Sequence, residues 1–227
     1  IMASVLKVDK LDPQSGTALE IGTSGDTLNV PSGVTLDINS GATLDATGAT
    51  VTGAGLDYLG TTTVSAAAST VDITLDTTNY GSFKFMLNAV LTETASDDVL
   101  NMRYSTDSGS SFADGASDYG YASWEQRTGG AFSTDFDNDT NTFPMNQAET
   151  AIGTSANESP SYEITLWNNQ LYPKVSCIGG AINSSANFTQ WYRTAIFMTA
   201  STVNAVRFYW SSGGFDGGTI DKYGFTK

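Results

Sequence analysis

From about Leu56 onward, hydrophobic and polar positions alternate in short runs separated by polar, glycine-rich stretches. Val71-Asp-Ile-Thr-Leu75 and Phe83-Lys-Phe-Met-Leu87 show the period of two clearly, with Phe83, Phe85 and Leu87 on one face. The same reading applies to Val99–Tyr104, Tyr119–Tyr121, Tyr162–Trp167, Lys174–Ile178, Thr194–Met198, Ala205–Trp210 and Gly218–Tyr223. A period of two is that of a strand with one buried face, and no segment shows the helical period. The pattern predicts about nine strands with turns at short intervals, which is the signature of a β-sandwich or jelly roll. The chain is therefore read as all-β.

Upstream the pattern is a repeat. Gly16-Thr-Ala-Leu19, Gly25-Asp-Thr-Leu28, Gly33-Val-Thr-Leu36, Gly41-Ala-Thr-Leu44 and Gly48-Ala-Thr-Val51 place glycines at steps of nine, eight, eight and seven residues. Ser24-Gly25, Ser32-Gly33 and Ser40-Gly41 supply turns, since glycine reaches backbone angles other residues avoid. Very short strands joined by tight turns at near-fixed spacing make an array. Each unit offers two or three apolar side chains worth roughly 2 kcal/mol apiece when buried. Ordering its residues costs roughly 1–2 kcal/mol each in backbone entropy. A lone ladder of this kind would barely hold, whereas three copies wound about one axis bury one another's apolar faces and leave no open edges. The expectation is a homotrimeric, intertwined shaft over residues 16–60. It would follow an attachment segment at 1–15 and precede a jelly-roll-like sandwich head at 61–227. A flexible linker is the alternative reading of the repeat.

Composition narrows the chemistry. The 227 residues include 24 acidic, 10 basic and no histidine side chains, for a formal charge of −14. Without imidazole there is no Ser-His-Asp or Cys-His nucleophile and no histidine-ligated metal. So negative a chain opposes binding to nucleic acid, which needs a basic stripe to release counterions. Cys177 is the one cysteine, so neither an intrachain disulfide nor a Cys-rich zinc site can form. No apolar run reaches membrane-spanning length, so no membrane insertion is expected. The first residues do not read as a secretory signal, and synthesis in a host cytoplasm is expected.

Several motifs together resemble bacteriophage tail-fibre and related virion appendage proteins, particularly those of marine phages. The opening Ala3-Ser-Val-Leu-Lys-Val-Asp-Lys-Leu-Asp-Pro-Gln-Ser-Gly16 before the Gly-x-Thr-Leu units resembles their attachment and shaft regions. Arg103-Tyr-Ser-Thr-Asp-Ser-Gly-Ser-Ser-Phe112, Leu171-Tyr-Pro-Lys174, Val203-Asn-Ala-Val-Arg-Phe208 and Gly217-Gly-Thr-Ile-Asp-Lys-Tyr-Gly-Phe225 are similar to their terminal module. The resemblance implies a virion structural part bound to other virion proteins through its N-terminus, and a head that contacts the host surface.

Four features could carry chemistry. Ser105-Thr-Asp107-Ser-Gly109-Ser-Ser-Phe112 matches an Asp-box and reads as a hairpin device, with Asp107 capping the turn, Gly109 supplying positive φ and Phe112 returning to the core. Asp135-Phe-Asp137-Asn-Asp139 places carboxylates at every second position, as a calcium loop does, although Thr140 and Asn146 stand where an EF-hand has Gly and Glu. Asp135, Asp137 and Asp139 are thus the metal candidates, with a solvated acidic loop as the alternative. Glu125 and Glu163 are conceivable members of a glycan-hydrolysing carboxylate pair, a pattern any acidic chain offers. Finally, aromatic rings interleaved with amides and hydroxyls suit sugar binding. Tyr121, Trp124, Trp191 and Tyr192 are the glycan-binding candidates because their surroundings are polar. The expected function is a non-enzymatic virion appendage that binds host glycan. A capsid decoration with no receptor role and a polysaccharide depolymerase are the alternatives.

Overall fold

The computed structural model describes residues 27, 29–30, 32–34, 55–92, 98–130, 132–147, 152, 158, 160–182 and 188–227. The chain divides into two compact units, Ile1–Ala49 and Thr50–Lys227. The attachment segment and most of the expected shaft lie outside the described residues, and the last of the shaft range, Leu56–Gly60, lies in the first strand of the second unit. Within the repeat, Ser32 and Gly33 do form a turn, with Gly33 at φ +84°.

The second unit is all-β. Its strands are β1 (Leu56–Thr63), β2 (Val71–Thr74), β3 (Tyr80–Asn88), β4 (Leu100–Ser105), β5 (Tyr119–Arg127) and β6 (Phe132–Thr140). They continue as β7 (Phe143–Pro144), β8 (Ser161–Trp167), β9 (Lys174–Ile182), β10 (Phe188–Phe197), β11 (Ala205–Trp210) and β12 (Thr219–Thr226). Two antiparallel sheets result. The larger has the order β1-β12-β3-β8-β9-β10-β5-β6, and the smaller β2-β11-β4-β7.

One hydrophobic core draws on both sheets. Phe85 of β3 meets Phe208 of β11 edge-on with centroids 5.7 Å apart, and Tyr104 of β4 meets Phe197 of β10 at 5.5 Å. Tyr119 packs on both Tyr104 and Phe197, accepts the Tyr104 amide at 2.8 Å and donates to the Ala113 carbonyl. Edge-on and tilted ring pairs of this kind add to area burial because the positive ring edge meets the negative face. Cys177 lies within this core, where burial pushes its thiol up to about 12 and leaves it an inert filler.

Each strand expected from alternation is present. Three further strands carry a weaker signal. In β1 a register shift between Tyr58 and Gly60 breaks the alternation, and β7 is two residues long. The acidic run Asp135–Asp139, expected as a loop, lies in edge strand β6. Neither face of β6 is deeply buried, so its sequence lacks the apolar–polar contrast that marks a strand. Charges on an exposed edge also oppose pairing with another chain.

The Asp-box works as a turn, though it joins β4 of one sheet to β5 of the other and makes no hairpin. Asp107 accepts the Ser111 hydroxyl at 2.6 Å, the Ser111 amide at 2.9 Å and the Ser105 hydroxyl at 2.7 Å. Gly109 sits at φ +88°, and Phe112 lies beneath the Arg207 guanidinium, 4.1 Å from its ring centroid. Those hydrogen bonds, from Ser111 above all, hold the Asp107 carboxyl at about 2, below its ordinary 3.8. A carboxyl lowered on folding stabilises above its unfolded value, and the contribution is lost as pH falls through the folded one. Asp107→Ala should therefore lower the melting temperature by a constant amount at pH 5–7. The gap from wild type should narrow below about pH 4 and close toward pH 2, as thermal melts across that range will check.

Candidate functional site

Strand alternation gives the larger sheet two unlike faces. On β10, Trp191, Arg193, Ala195 and Phe197 turn inward, while Tyr192, Thr194 and Ile196 turn outward. On β5, Glu125 turns inward and Trp124 outward. The pairing of Tyr192 with Trp124, and of Tyr192 with Ile178 on β9, aligns these outward side chains in one row across the strands. Trp124 stacks on Tyr192 at 6.1 Å with 29° between planes, and on Phe132 of β6 at 6.3 Å with 21°. Three near-parallel rings thus stand on the solvent face.

This face is apolar well beyond the row. Phe136 is 76% exposed and Phe132 64%, and Trp167, Ile178, Phe188 and Met198 are exposed too. Solvated apolar side chains are normal singly, whereas a contiguous group marks a surface that meets a ligand or a partner. Four amino-acid steps along β10 from Tyr192, about 13 Å at the usual strand rise, lies Ile196. There a groove of about 500 Å³ opens between Trp167, Lys174, Ile196 and Asn138.

Of the four glycan candidates, the structure brings two together. Trp124 and Tyr192 share the outward row. Trp191 is fully buried and does not reach solvent: its indole lies over Gly179 where a Cβ would overlap it, and packs on Tyr162 at 5.4 Å. Tyr121 is half-buried on the inner side, where its hydroxyl donates to Asp135 Oδ2 at 3.0 Å. Burial, reinforced by the Asp135 carboxylate, pushes the Tyr121 phenol up to about 12.

The metal candidates are likewise separated in role. Asp135 Oδ2 receives Arg193 Nη2 at 3.2 Å as well as the Tyr121 hydroxyl, and Asp137 accepts the Asp139 amide at 2.9 Å. Among the described residues no group of three metal-ligating side chains converges. The three stand on one strand, where same-face side chains are spaced along the ladder and are not gathered as in a loop. The conceivable catalytic carboxylates are also engaged: Glu125 is buried against Arg127 at 2.8 Å, and Glu163 pairs with Lys84 at 2.7 Å.

Arg193 is instead the centre of an internal clamp. Almost wholly buried, it lies over the Tyr121 ring at 5.2 Å, donates to the Pro144 carbonyl of β7 at 2.9 Å and pairs with Asp135 of β6. It thereby ties three strands at the mouth of a cleft of about 440 Å³. The outward residues passed over by residue-type reasoning are Phe132, Phe136, Ile178 and Lys174, together with Trp167. The inward set Tyr162, Ile164 and Leu166 on β8 was the signal that Trp167 faces out.

Arg193 is buried while its partner Asp135 is half-exposed, so removing Asp135 alone leaves the guanidinium with its desolvation penalty, which removing both does not. Asp135→Asn should lower stability by about 1–3 kcal/mol, and adding Arg193→Met should restore part of that loss. Urea denaturation of the single and double variants measures both.

No protein-family model matches the chain, and comparison with curated proteins returns no relative.

Proposed function

We propose that this chain is a non-enzymatic subunit of a virion appendage of the phage tail-fibre kind. Its N-terminal segment attaches to other virion proteins, and its β-sandwich head binds glycan on the host surface through the outward aromatic row. The observation that carries the reading is the row itself, Trp124 paired with Tyr192 and stacked diagonally on Phe132, on a solvated sheet face. Rings with polar neighbours stack on the apolar faces of sugars, while amides and hydroxyls beside them reach the sugar hydroxyls. Gln126 and Gln190, exposed and paired on the same face two residues along β5 and β10, supply such amides.

The strand order supports the finer reading of the head as a jelly roll. One sheet reads β2-β11-β4-β7 and the other contains β3-β8-β9-β10-β5-β6, with the chain passing repeatedly between sheets. Such an order is in keeping with two interleaved Greek keys in which one strand is expanded to the meander β8-β9-β10. The Gly-x-Thr-Leu repeat supports a trimer, which would present three heads and multiply weak sites into avidity.

On a panel of immobilised polysaccharides, the full chain should be retained, and Trp124→Ala should weaken retention about tenfold, equivalent to about 1.4 kcal/mol. Its melting temperature should stay close to wild type because Trp124 is outside the core. Undiminished retention of Trp124→Ala, or no retention of the wild type, overturns the binding role. A strictly monomeric mass by light scattering overturns the trimeric fibre.

A further inference from the structure

The groove beside Trp167 differs in charge from the other described parts of the molecule. Eight cationic side chains occur among the described residues, and seven are engaged. Lys84, Arg103, Arg127, Arg193 and Arg207 pair with Glu163, Asp114, Glu125, Asp135 and Asp72. Lys222 donates to the Thr74 carbonyl at 3.0 Å and Lys227 to the Thr77 carbonyl at 2.6 Å. Lys174 alone among them has neither an ion pair nor a hydrogen bond to another described residue.

Its position is equally specific. Lys174 is exposed and directly opposite Trp167 across the β8–β9 ladder, opposite Ile196 on its other side, and these three line the groove. Gly120 and Ala122 keep one side of the groove low, and Asn138 adds an amide. Among the described residues no acidic side chain lines the groove, in a chain whose formal charge is −14. At physiological salt a charge is felt over about 8 Å, so a group bound in the groove senses Lys174, with Asp137 and Asp139 on either side of Asn138 as the opposing charges on β6.

We propose that this groove takes a negatively charged sugar residue, one bearing a carboxylate or a sulfate. Trp167 contacts the ring face, Lys174 meets the anionic substituent, and Asn138 bonds hydroxyls. The inference rests on the glycan-binding role of the same face and assigns it a substrate class. An exposed ion pair contributes little in water, so the preference is modest, about three- to fivefold.

The test compares four probes in 0.15 M salt: polygalacturonate, its methyl ester, dextran sulfate and dextran. Wild type should retain polygalacturonate over its ester, or dextran sulfate over dextran, by that factor; the pair that discriminates tells carboxylate from sulfate. Lys174→Gln should bring the ratio to about one, and Lys174→Arg should keep the preference. Trp167→Ala should weaken charged and neutral forms alike. Equal retention of charged and neutral forms by wild type, or a preference that survives Lys174→Gln, overturns the inference. Trp124-dependent retention of neutral probes would then leave the broader binding role standing. If no probe is retained, both fail. If Trp167→Ala lowers the mass of the assembly while sugar retention is unaltered, the groove is a contact between copies and the inference is overturned.

Discussion

The register of β10 between β9 and β5 is the constraint on which the outer face depends. Side chains alternate along a strand, so a slip of one residue would turn Tyr192, Thr194 and Ile196 into the core and push Trp191 and Arg193 into water. Three interactions oppose that slip. The Trp191 indole occupies space left by Gly179, Arg193 reaches both β6 and β7, and Phe197 packs into the Tyr104–Tyr119 pair. Each belongs to the inner face. The outer row of rings is in line because the inner row is locked.

Charge is organised around the same scaffold. The larger sheet ends on one side in β6, whose Asp135, Asp137 and Asp139 make that edge an unfavourable partner for another strand. Elsewhere carboxylates serve as internal acceptors. Asp98 is buried and takes the Thr92 hydroxyl at 2.8 Å, the Ser212 amide at 3.0 Å and the Ser211 hydroxyl, joining segments far apart in the chain. Asp107 organises the turn after β4 in the same way. Cations mostly answer these acids, which leaves Lys174 distinct in its apolar groove.

A fold of this kind supports many functions, so function has to be read from the surface it presents. Here the surface is a sheet face carrying exposed rings at one level and a groove with a lone cation about 13 Å further along the strands. Two levels of contact on one rigid sheet suit an extended ligand better than a small compact one, since neither site is enclosed. In the proposed appendage, multivalent presentation would offset the weakness of each single contact.

Much of the sandwich was legible from alternation alone. The runs at Phe83–Leu87, Tyr162–Trp167 and Ala205–Trp210 carry enough apolar contrast to mark both strand and buried face, because burying one face of a pleated strand demands a period of two. That β6 is a strand was not legible, since an edge strand with two solvated faces has no such demand upon it. Nor could residue type decide the faces of β10. Trp191, Ala195 and Phe197 compete with Tyr192, Ile196 and Met198 as an apolar set, and Arg193 falls among the residues that prove to be buried. The choice required long-range partners: Asp135 and the Pro144 carbonyl to satisfy the guanidinium, and Gly179 to admit the indole. Local pattern therefore determined the strands and the all-β class. The tertiary structure decided which rings reach water and that Lys174 stands opposite Trp167, because both follow from pairing between strands that no single segment encodes.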